Sequence, residues 1–207
     1  MATTANSEKP PVIVIKGARL SYPNLFRPHA PKAKPGERQK EPDFNAVLIL
    51  NKKEHAKEIA EIQKAVDSTL VKKFKRVPAK YKNPVRDGSD REDEDASAAA
   101  GKAVYKDGYG PDVVFFSAAN KRRPSVVDKD PNVPLVEADG RPYAGCYVNV
   151  CVSPWAWDHE TGGKGVSFNL LAVQFLKDGE PFGGGESVKA DEVFVNESGA
   201  DDADPMA

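Results

Sequence analysis

Three adjacent side chains in the C-terminal third of the chain, Asp158, His159 and Glu160, are of the types that hold divalent metal ions in nucleases. Their oxygen and nitrogen atoms could bind a metal that activates water. Adjacent residues in a strand or turn point in different directions, so three in a row rarely converge on one ion. The sequence therefore favours a solvated turn here, and a metal-dependent nuclease remains the alternative.

Other catalytic signatures are missing from the sequence. The segment Gly163-Lys164-Gly165 lacks the upstream glycine and the following Ser or Thr of a phosphate-binding loop. The two cysteines do not have the spacing of a zinc site, and the three histidines are scattered. We therefore predict a protein that is not an enzyme and that has no cofactor and no structural metal.

Aromatic and cationic side chains alternate in the segments between the apolar stretches. A single-stranded nucleic acid is held by cations along its phosphates and by aromatic faces on which bases stack, each worth about 1–3 kcal/mol. The sequence thus predicts single-stranded DNA as the partner. The predicted contacts are Tyr22, Phe26, Arg27, Lys32, Lys34 and Arg38 in a first loop, Lys121, Arg122 and Arg123 in a turn, Arg141 and Tyr143, and finally Trp155, Trp157 and Lys164.

Each of these groups also has a purely structural interpretation. Phe26 can attach its loop to the core, and the two tryptophans can cover one end of it. The three cations at 121–123 can simply keep a turn soluble. The prediction of a binding surface rests on their joint occurrence rather than on any one residue.

Positive and negative charges are segregated along the chain, although the net charge is only −1. Residues 87–95 carry six acids and one base, and residues 190–207 carry six acids and no base. Without these segments the totals of 30 bases and 31 acids become 29 and 19, an excess of about ten positive charges. The tail acids, predicted to inhibit DNA binding or to dock partner proteins, are Asp191, Glu192, Glu197, Asp201, Asp202 and Asp204. Solubility alone is the other explanation of this tail.

Five segments have the β-branched or alternating apolar pattern of strands, namely residues 12–20, 45–50, 113–117, 145–153 and 166–176. Asn51 and Glu54 form a capping box ahead of apolar residues at helical spacing from Ile59 to Phe74, which predicts a helix of five or six turns. Residues 21–44 and 76–110 are predicted as long loops, because they contain prolines and lack a period.

These elements predict a mainly β (α+β) fold with one substantial helix, in which a five-stranded OB-like barrel carries long loops. We expect a flexible N-terminus at 1–11, one domain at 12–185, and an acidic, largely disordered tail at 186–207. No apolar run approaches the roughly 20 residues that cross a bilayer, and the N-terminus lacks a signal peptide, so we expect a cytosolic protein. Cys146 and Cys151, about 16 Å apart on opposite faces of a strand, are expected to stay reduced.

Three segments carry a family resemblance: VIVIKGARLSYPNLFRP (12–28), PDFNAVLILNKKE (42–54) and AGCYVNVCVSPWAWDHETGGKGVSFNLLAVQFLKDGEPFGGG (144–185). The chain resembles a bacteriophage family first catalogued as a domain of unknown function and understood as single-stranded DNA-binding proteins. The resemblance implies an OB-fold, binding without strong sequence preference, and a role in phage DNA replication, recombination or repair in the cytoplasm of the infected bacterial host.

One feature departs from the better-known phage proteins of this class, whose acidic tails end in an aromatic residue that docks replication proteins. This chain ends in Asp204-Pro205-Met206-Ala207, so docking of phage or host replication proteins would use Met206 or Phe194. The sequence is also compatible with an oligomer. Besides the nuclease, a hub or structural phage protein that binds no DNA remains an alternative.

Overall fold

The computed structural model describes residues 11–31 and 39–183. This part of the chain contains seven strands, two α-helices and two short 3-10 turns. The strands are β1 (Ile13–His29), β2 (Asp43–Asn51), β3 (Arg86–Asp87), β4 (Val113–Asn120), β5 (Ser125–Val127), β6 (Tyr147–His159) and β7 (Gly163–Lys177). The helices are α1 (Ala56–Phe74) and α2 (Glu94–Ala100), and the 3-10 turns are Gly88–Arg91 and Glu137–Asp139.

Five of the strands close into a barrel. The sheet order is β3-β4-β2-β1-β6-β7-β5, and a further pairing joins β4 to β7. That pairing is parallel, with Ala118 opposite Phe168 and Ala119 opposite Asn169. The ring β1-β2-β4-β7-β6 confirms the predicted OB-type barrel, to which β3 and β5 add short flanking strands.

The barrel interior is filled by alternate residues of its strands. In β6, Val148, Val150 and Val152 are buried, whereas Tyr147 and Cys151 are half-buried on the other face, as the alternation predicts. Phe116 and Phe168 meet in the core with ring centroids 5.0 Å apart. The apolar stripe of α1 packs against the same core through Ile62, Val66 and Leu70.

The predicted helix is present, but its start is displaced. The side-chain oxygen of Asn51 accepts hydrogen bonds from the backbone N–H groups of Lys53 (2.9 Å) and Glu54 (3.1 Å). These bonds stabilise a turn over residues 52–55, and the helix begins only at Ala56, after His55. The capping pattern therefore marks a turn that leads into the helix rather than the first helical turn.

The first strand is longer than predicted. Residues 21–29 were expected in a loop because of Pro23 and Pro28, yet β1 continues to His29. Its pairing with β2 shifts register between Ser21 and Asn24 and again between Asn24 and His29. Such irregularities accommodate residues without an N–H donor, so prolines do not end the strand here.

The other predicted loops also contain regular structure. Residues 76–110 include β3, α2 and a 3-10 turn, and β5 lies in the proline-rich segment after β4. The β6–β7 connection is much tighter than the interval between the predicted strands 145–153 and 166–176, because the strands continue to His159 and resume at Gly163. The β-favouring tryptophans of this stretch lie in strand β6.

The segment before β4 covers part of the outer barrel surface. Outward-facing Val47 and Ile49 of β2 and Phe115 of β4 form a second apolar cluster with Tyr109 and Phe182. The Tyr109 and Phe115 rings are 5.1 Å apart, edge to face. This portion of the β2–β4 face is thereby closed to ligands.

Both thiols are free, with Cys146 buried and Cys151 half-buried, as expected. Burial raises the pKa of the Cys146 thiol to about 11. Within residues 11–31 and 39–183, no helix combines the length and the apolar character needed to span a bilayer.

Candidate nucleic-acid interface

Trp155 and Trp157 lie on one face of the β6–β7 hairpin, as alternation in a continuous strand requires. Trp155 stands opposite Ser167 and is 45% exposed. Trp157 is half-buried, and its indole Nε1 donates a hydrogen bond to Ser167 Oγ at 3.0 Å. Trp155 is therefore the side chain of this pair with a large open surface.

Gly165 lets the Trp157 ring approach the neighbouring strand. The two residues are cross-strand partners, and a Cβ atom placed on Gly165 would lie 2.3 Å from Trp157 Cζ2. Any larger residue would displace the ring. Gly165 thus makes room for an aromatic ring on the neighbouring strand.

The tryptophan face meets the start of β2 and the turn after β4. A shallow cleft of about 260 Å³ separates Trp155 from Lys121. Polar groups from three strands face this cleft, whose lining residues are Asp43, Ala119, Asn120, Lys121, Trp155, Ser167, Phe168 and Asn169. The structure thus brings together the hairpin and the cationic turn that the sequence predicted as parts of one surface.

The cations of this turn are exposed and only weakly engaged. Lys121 Nζ lies 2.9 Å from Glu41 Oε2, and both side chains are more than half exposed. The hydrogen bond and charge of Lys121 lower the pKa of the Glu41 carboxyl. Arg122 is exposed, and the Arg123 guanidinium lies 5.3 Å from the Phe26 ring centroid. An exposed ion pair contributes little stability, so a phosphate can displace Glu41 at low cost.

Arg141 and Tyr143 lie away from this surface. They precede the Tyr147 end of β6, whereas the tryptophans lie near its His159 end. Arg141 forms an ion pair with Asp128 at 2.9 Å. The Tyr143 hydroxyl makes bonds of 3.0 Å with Asp178 and with the Gly179 carbonyl, and its pKa is raised mainly by desolvation. Both side chains have structural partners, and neither joins the surface on which they were predicted.

Three other predicted contacts, Tyr22, Arg27 and Lys164, occupy separate surroundings, whereas Phe26 lies beside Arg123 of the cationic turn. Phe26 is half-buried against the core, and Arg27 Nε bonds Glu137 Oε2 at 2.8 Å. Tyr22 is 53% exposed beside a different cleft, formed with Tyr105, Tyr109 and Phe182. Lys164 faces α1, with its ammonium 4.7 Å from the Phe74 ring centroid, on the opposite side of the hairpin from Trp157.

The remaining predicted residues fall outside the described residues. These are Lys32, Lys34 and Arg38, and the tail acids Asp191, Glu192, Glu197, Asp201, Asp202 and Asp204. Their predicted roles stay predictions.

Asp158, His159 and Glu160 at the hairpin tip are not arranged as a metal site. His159 Nδ1 accepts a hydrogen bond from the Gly162 N–H at 3.4 Å and lies 3.2 Å from Thr161 Oγ1, so it closes the turn. In the described ranges, no group of three His, Cys, Asp or Glu side chains is placed to hold a metal ion.

Sequence reasoning missed one cation on the tryptophan face. The Lys82 ammonium lies 5.9 Å from the Trp157 ring centroid. Its segment was dismissed because it lacks an apolar period. A different signal was available, since residues 75–86 carry Lys75, Arg76, Lys80, Lys82 and Arg86.

Comparison with known proteins agrees with this architecture. The family described as "Enterobacter phage Enc34, ssDNA-binding protein" matches residues 11–204. One similar solved structure is that of the single-stranded DNA-binding protein from bacteriophage Enc34 in complex with ssDNA. Its sequence is 24% identical to this chain and its TM-score is 0.64, and the match covers 83% of this chain and 89% of that one. A second structure of the single-stranded DNA-binding protein from bacteriophage Enc34 is 23% identical to this chain with a TM-score of 0.63, and the match covers 87% of this chain and 88% of that one. At these identities the solved structures establish the fold.

A curated relative gives a closer match over a shorter segment. It is "Putative protein p50" of Acyrthosiphon pisum secondary endosymbiont phage 1, 43% identical over 107 residues. The match covers 52% of this chain and 55% of that protein, so the chain spans about half the length of the curated relative. With the family match extending over most of the sequence, the chain belongs to the family of the Enterobacter phage Enc34 single-stranded DNA-binding protein.

Proposed function

We propose that this protein binds single-stranded DNA without strong sequence preference and coats it during phage DNA replication, recombination or repair. It acts in the cytoplasm of the infected host and catalyses no reaction on the DNA. The observation that carries the proposal is the exposed Trp155 ring beside Lys121, at the edge of a polar cleft on the barrel surface. Family membership and the ssDNA complex of the Enc34 protein support it.

The mechanism follows from the two kinds of group on this surface. A base stacks on the open face of Trp155, an interaction that every base can make, which explains the absence of strong sequence preference. Phosphates on either side are bound by Lys121 and the two arginines that follow it. A paired base is already stacked within its helix, so Trp155 favours a single strand over a duplex.

The test is a fluorescence-anisotropy titration of labelled oligo-dT and of the matching duplex over a salt series. We expect tighter binding of the single strand, and log K should fall with log salt with a slope of about −0.7 per phosphate neutralised. Salt-independent binding, or equal affinity for the duplex, would contradict the proposal. The same labelled strand should stay intact in Mg²⁺ or Mn²⁺, whereas cleavage abolished by Asp158→Ala with Glu160→Ala would establish the nuclease alternative.

A further inference from the structure

The segment between α1 and β3 is held against the helix by alternate side chains. The Tyr81 hydroxyl lies 3.3 Å from Gln63 Nε2, and Asn83 Nδ2 donates to Gln63 Oε1 at 3.3 Å. Because residues on both sides of Lys82 contact the helix, the Lys82 side chain extends the other way, toward the tryptophan face.

The backbone of Lys82 is fixed to the edge of β7. Its N–H donates to the Lys164 carbonyl at 2.9 Å, and its own carbonyl accepts from the Val166 N–H at 3.3 Å. These two bonds form a parallel bridge to Gly165, the residue on which the Trp157 ring is seated. The position of Lys82 beside the ring is therefore set by main-chain bonds and does not depend on its side chain.

The Lys82 side chain is exposed, whereas the ammonium groups of its two neighbouring lysines are engaged by a carbonyl and by an aromatic ring. Lys73 Nζ donates to the Ala156 carbonyl at 2.8 Å, and Lys164 lies over the Phe74 ring. In the part of the chain that the structure describes, no carboxylate lies within 4.0 Å of the Lys82 ammonium. An exposed ammonium held over the edge of an aromatic surface is well placed to bind an anion.

We propose that Lys82 binds a backbone phosphate of the single strand. This phosphate belongs to the nucleotide next to the one whose base stacks on Trp155, and that neighbouring nucleotide lies against the Trp157 ring. Trp155 and Trp157 are two residues apart on one strand, about 7 Å. The DNA path then runs from Lys121 across both tryptophans to Lys82. This inference rests on the proposed function and extends its binding surface to the segment after α1.

The first test compares two charge-neutralising variants, Lys82→Met and Lys57→Met. Methionine retains the unbranched apolar stem over the ring and removes the charge. Lys57 is an exposed residue in the first turn of α1, about 24 Å along the helix from Lys73, whose end of the helix contacts the hairpin. Lys82→Met should weaken oligo-dT binding roughly five- to tenfold at low salt and make the salt slope shallower by about 0.7. Lys57→Met should change neither the affinity for oligo-dT nor the salt slope. Lys82→Arg, which keeps the positive charge, should leave both at their wild-type values.

The second test uses Trp157 itself as a reporter. The chain contains two tryptophans, so Trp155→Phe leaves Trp157 as the sole indole. Saturating oligo-dT should quench its fluorescence, and adding Lys82→Met should reduce that quenching. Wild-type protein that binds oligo-dT, together with a Lys82→Met variant indistinguishable from Lys57→Met, would overturn the Lys82 site alone. Wild-type protein that binds no oligo-dT would overturn the proposed function as well.

Discussion

Trp155 and Trp157 occupy equivalent positions of one strand but are available to ligands in different ways. The Trp157 ring lies against Gly165 and its Nε1 is engaged by Ser167. The Trp155 indole makes no side-chain hydrogen bond to any described residue, and nearly half of its surface is exposed. Trp155 can therefore accept a base without rearrangement, whereas the Trp157 ring is held in a fixed orientation against which a nucleotide could pack.

Replacing Trp155 by Ala should weaken oligo-dT binding by a factor of about 10, since a stacked base contributes about 1–3 kcal/mol. Lys121→Ala should cost less, because the phosphate charge is shared among several cations. Anisotropy titrations at one salt concentration measure both variants. Their melting temperatures should match that of the wild type, because both side chains lie on the surface. Equal, small losses for the two variants would mean that Trp155 does not contact DNA.

Which side chains share this surface was only partly predictable from the sequence. Because β6 continues past the predicted end at 153, alternation puts the two tryptophans on one face, a relation that strand geometry fixes locally. The sequence shows that Arg141 and Tyr143 are polar, but not that Asp128 and Gly179 bind them. Lys82 was missed because its position depends on a bridge to a strand more than 80 residues later.

At the level of elements, the segment from β3 to β4 determines which barrel surface stays open. Strands 2 and 3 of an OB barrel commonly present a nucleic-acid-binding face. Here Tyr109 and Phe182 cover part of that face, and Arg86 lies over the Phe115 ring at 4.4 Å. The DNA contacts proposed above lie instead beside the β6–β7 hairpin.

The attachment of this segment should depend on acid pH. Lys52 Nζ bonds Asp87 Oδ2 and the Pro111 carbonyl, and the Lys52 bond is the main reason that the Asp87 pKa is lowered to about 2. Because the Asp87 pKa is lower in the folded protein than its unfolded value near 3.8, the ionised carboxylate stabilises the fold above pH 3.8. This stabilisation is lost as the pH falls toward 2. Asp87→Asn should therefore lower the melting temperature above pH 4, and the difference from wild type should shrink between pH 4 and 2. A difference that stays constant to pH 2 would contradict this role.

Elements with a strong apolar period were predictable, and those set by pairing were not. The five barrel strands and α1 follow from local alternation and helical spacing. The second half of β1 was missed because Pro23 and Pro28 suggest a loop, and only the partner strand shows that the register shifts there tolerate them. The two-residue strand β3 has no local signal, since it exists only through its pairing with β4.

For the whole molecule, charge segregation predicts competition between the tail and DNA. Removing residues 190–207 deletes six acids and no base. We expect tighter oligo-dT binding at low salt, with the gain vanishing at high salt as charges are screened. Phe194→Ala in the full chain, which keeps every charge, separates electrostatic competition from apolar docking. Unchanged affinity of the truncated protein at low salt would exclude competition by the tail.

The closure of the barrel also constrains when the protein can fold during its synthesis. Ile13 of β1 pairs with Val152 of β6, a separation of 139 residues. Similarly, Ala118 of β4 pairs with Phe168 of β7. A ribosome must therefore release most of the chain before the first strand finds its second neighbour. Until then Ile13 and Ile15, which pair with β6 and not with β2, have no partner strand, and such open apolar edges favour aggregation. The barrel can therefore close only after the β6–β7 hairpin, itself a local structure, has been synthesised.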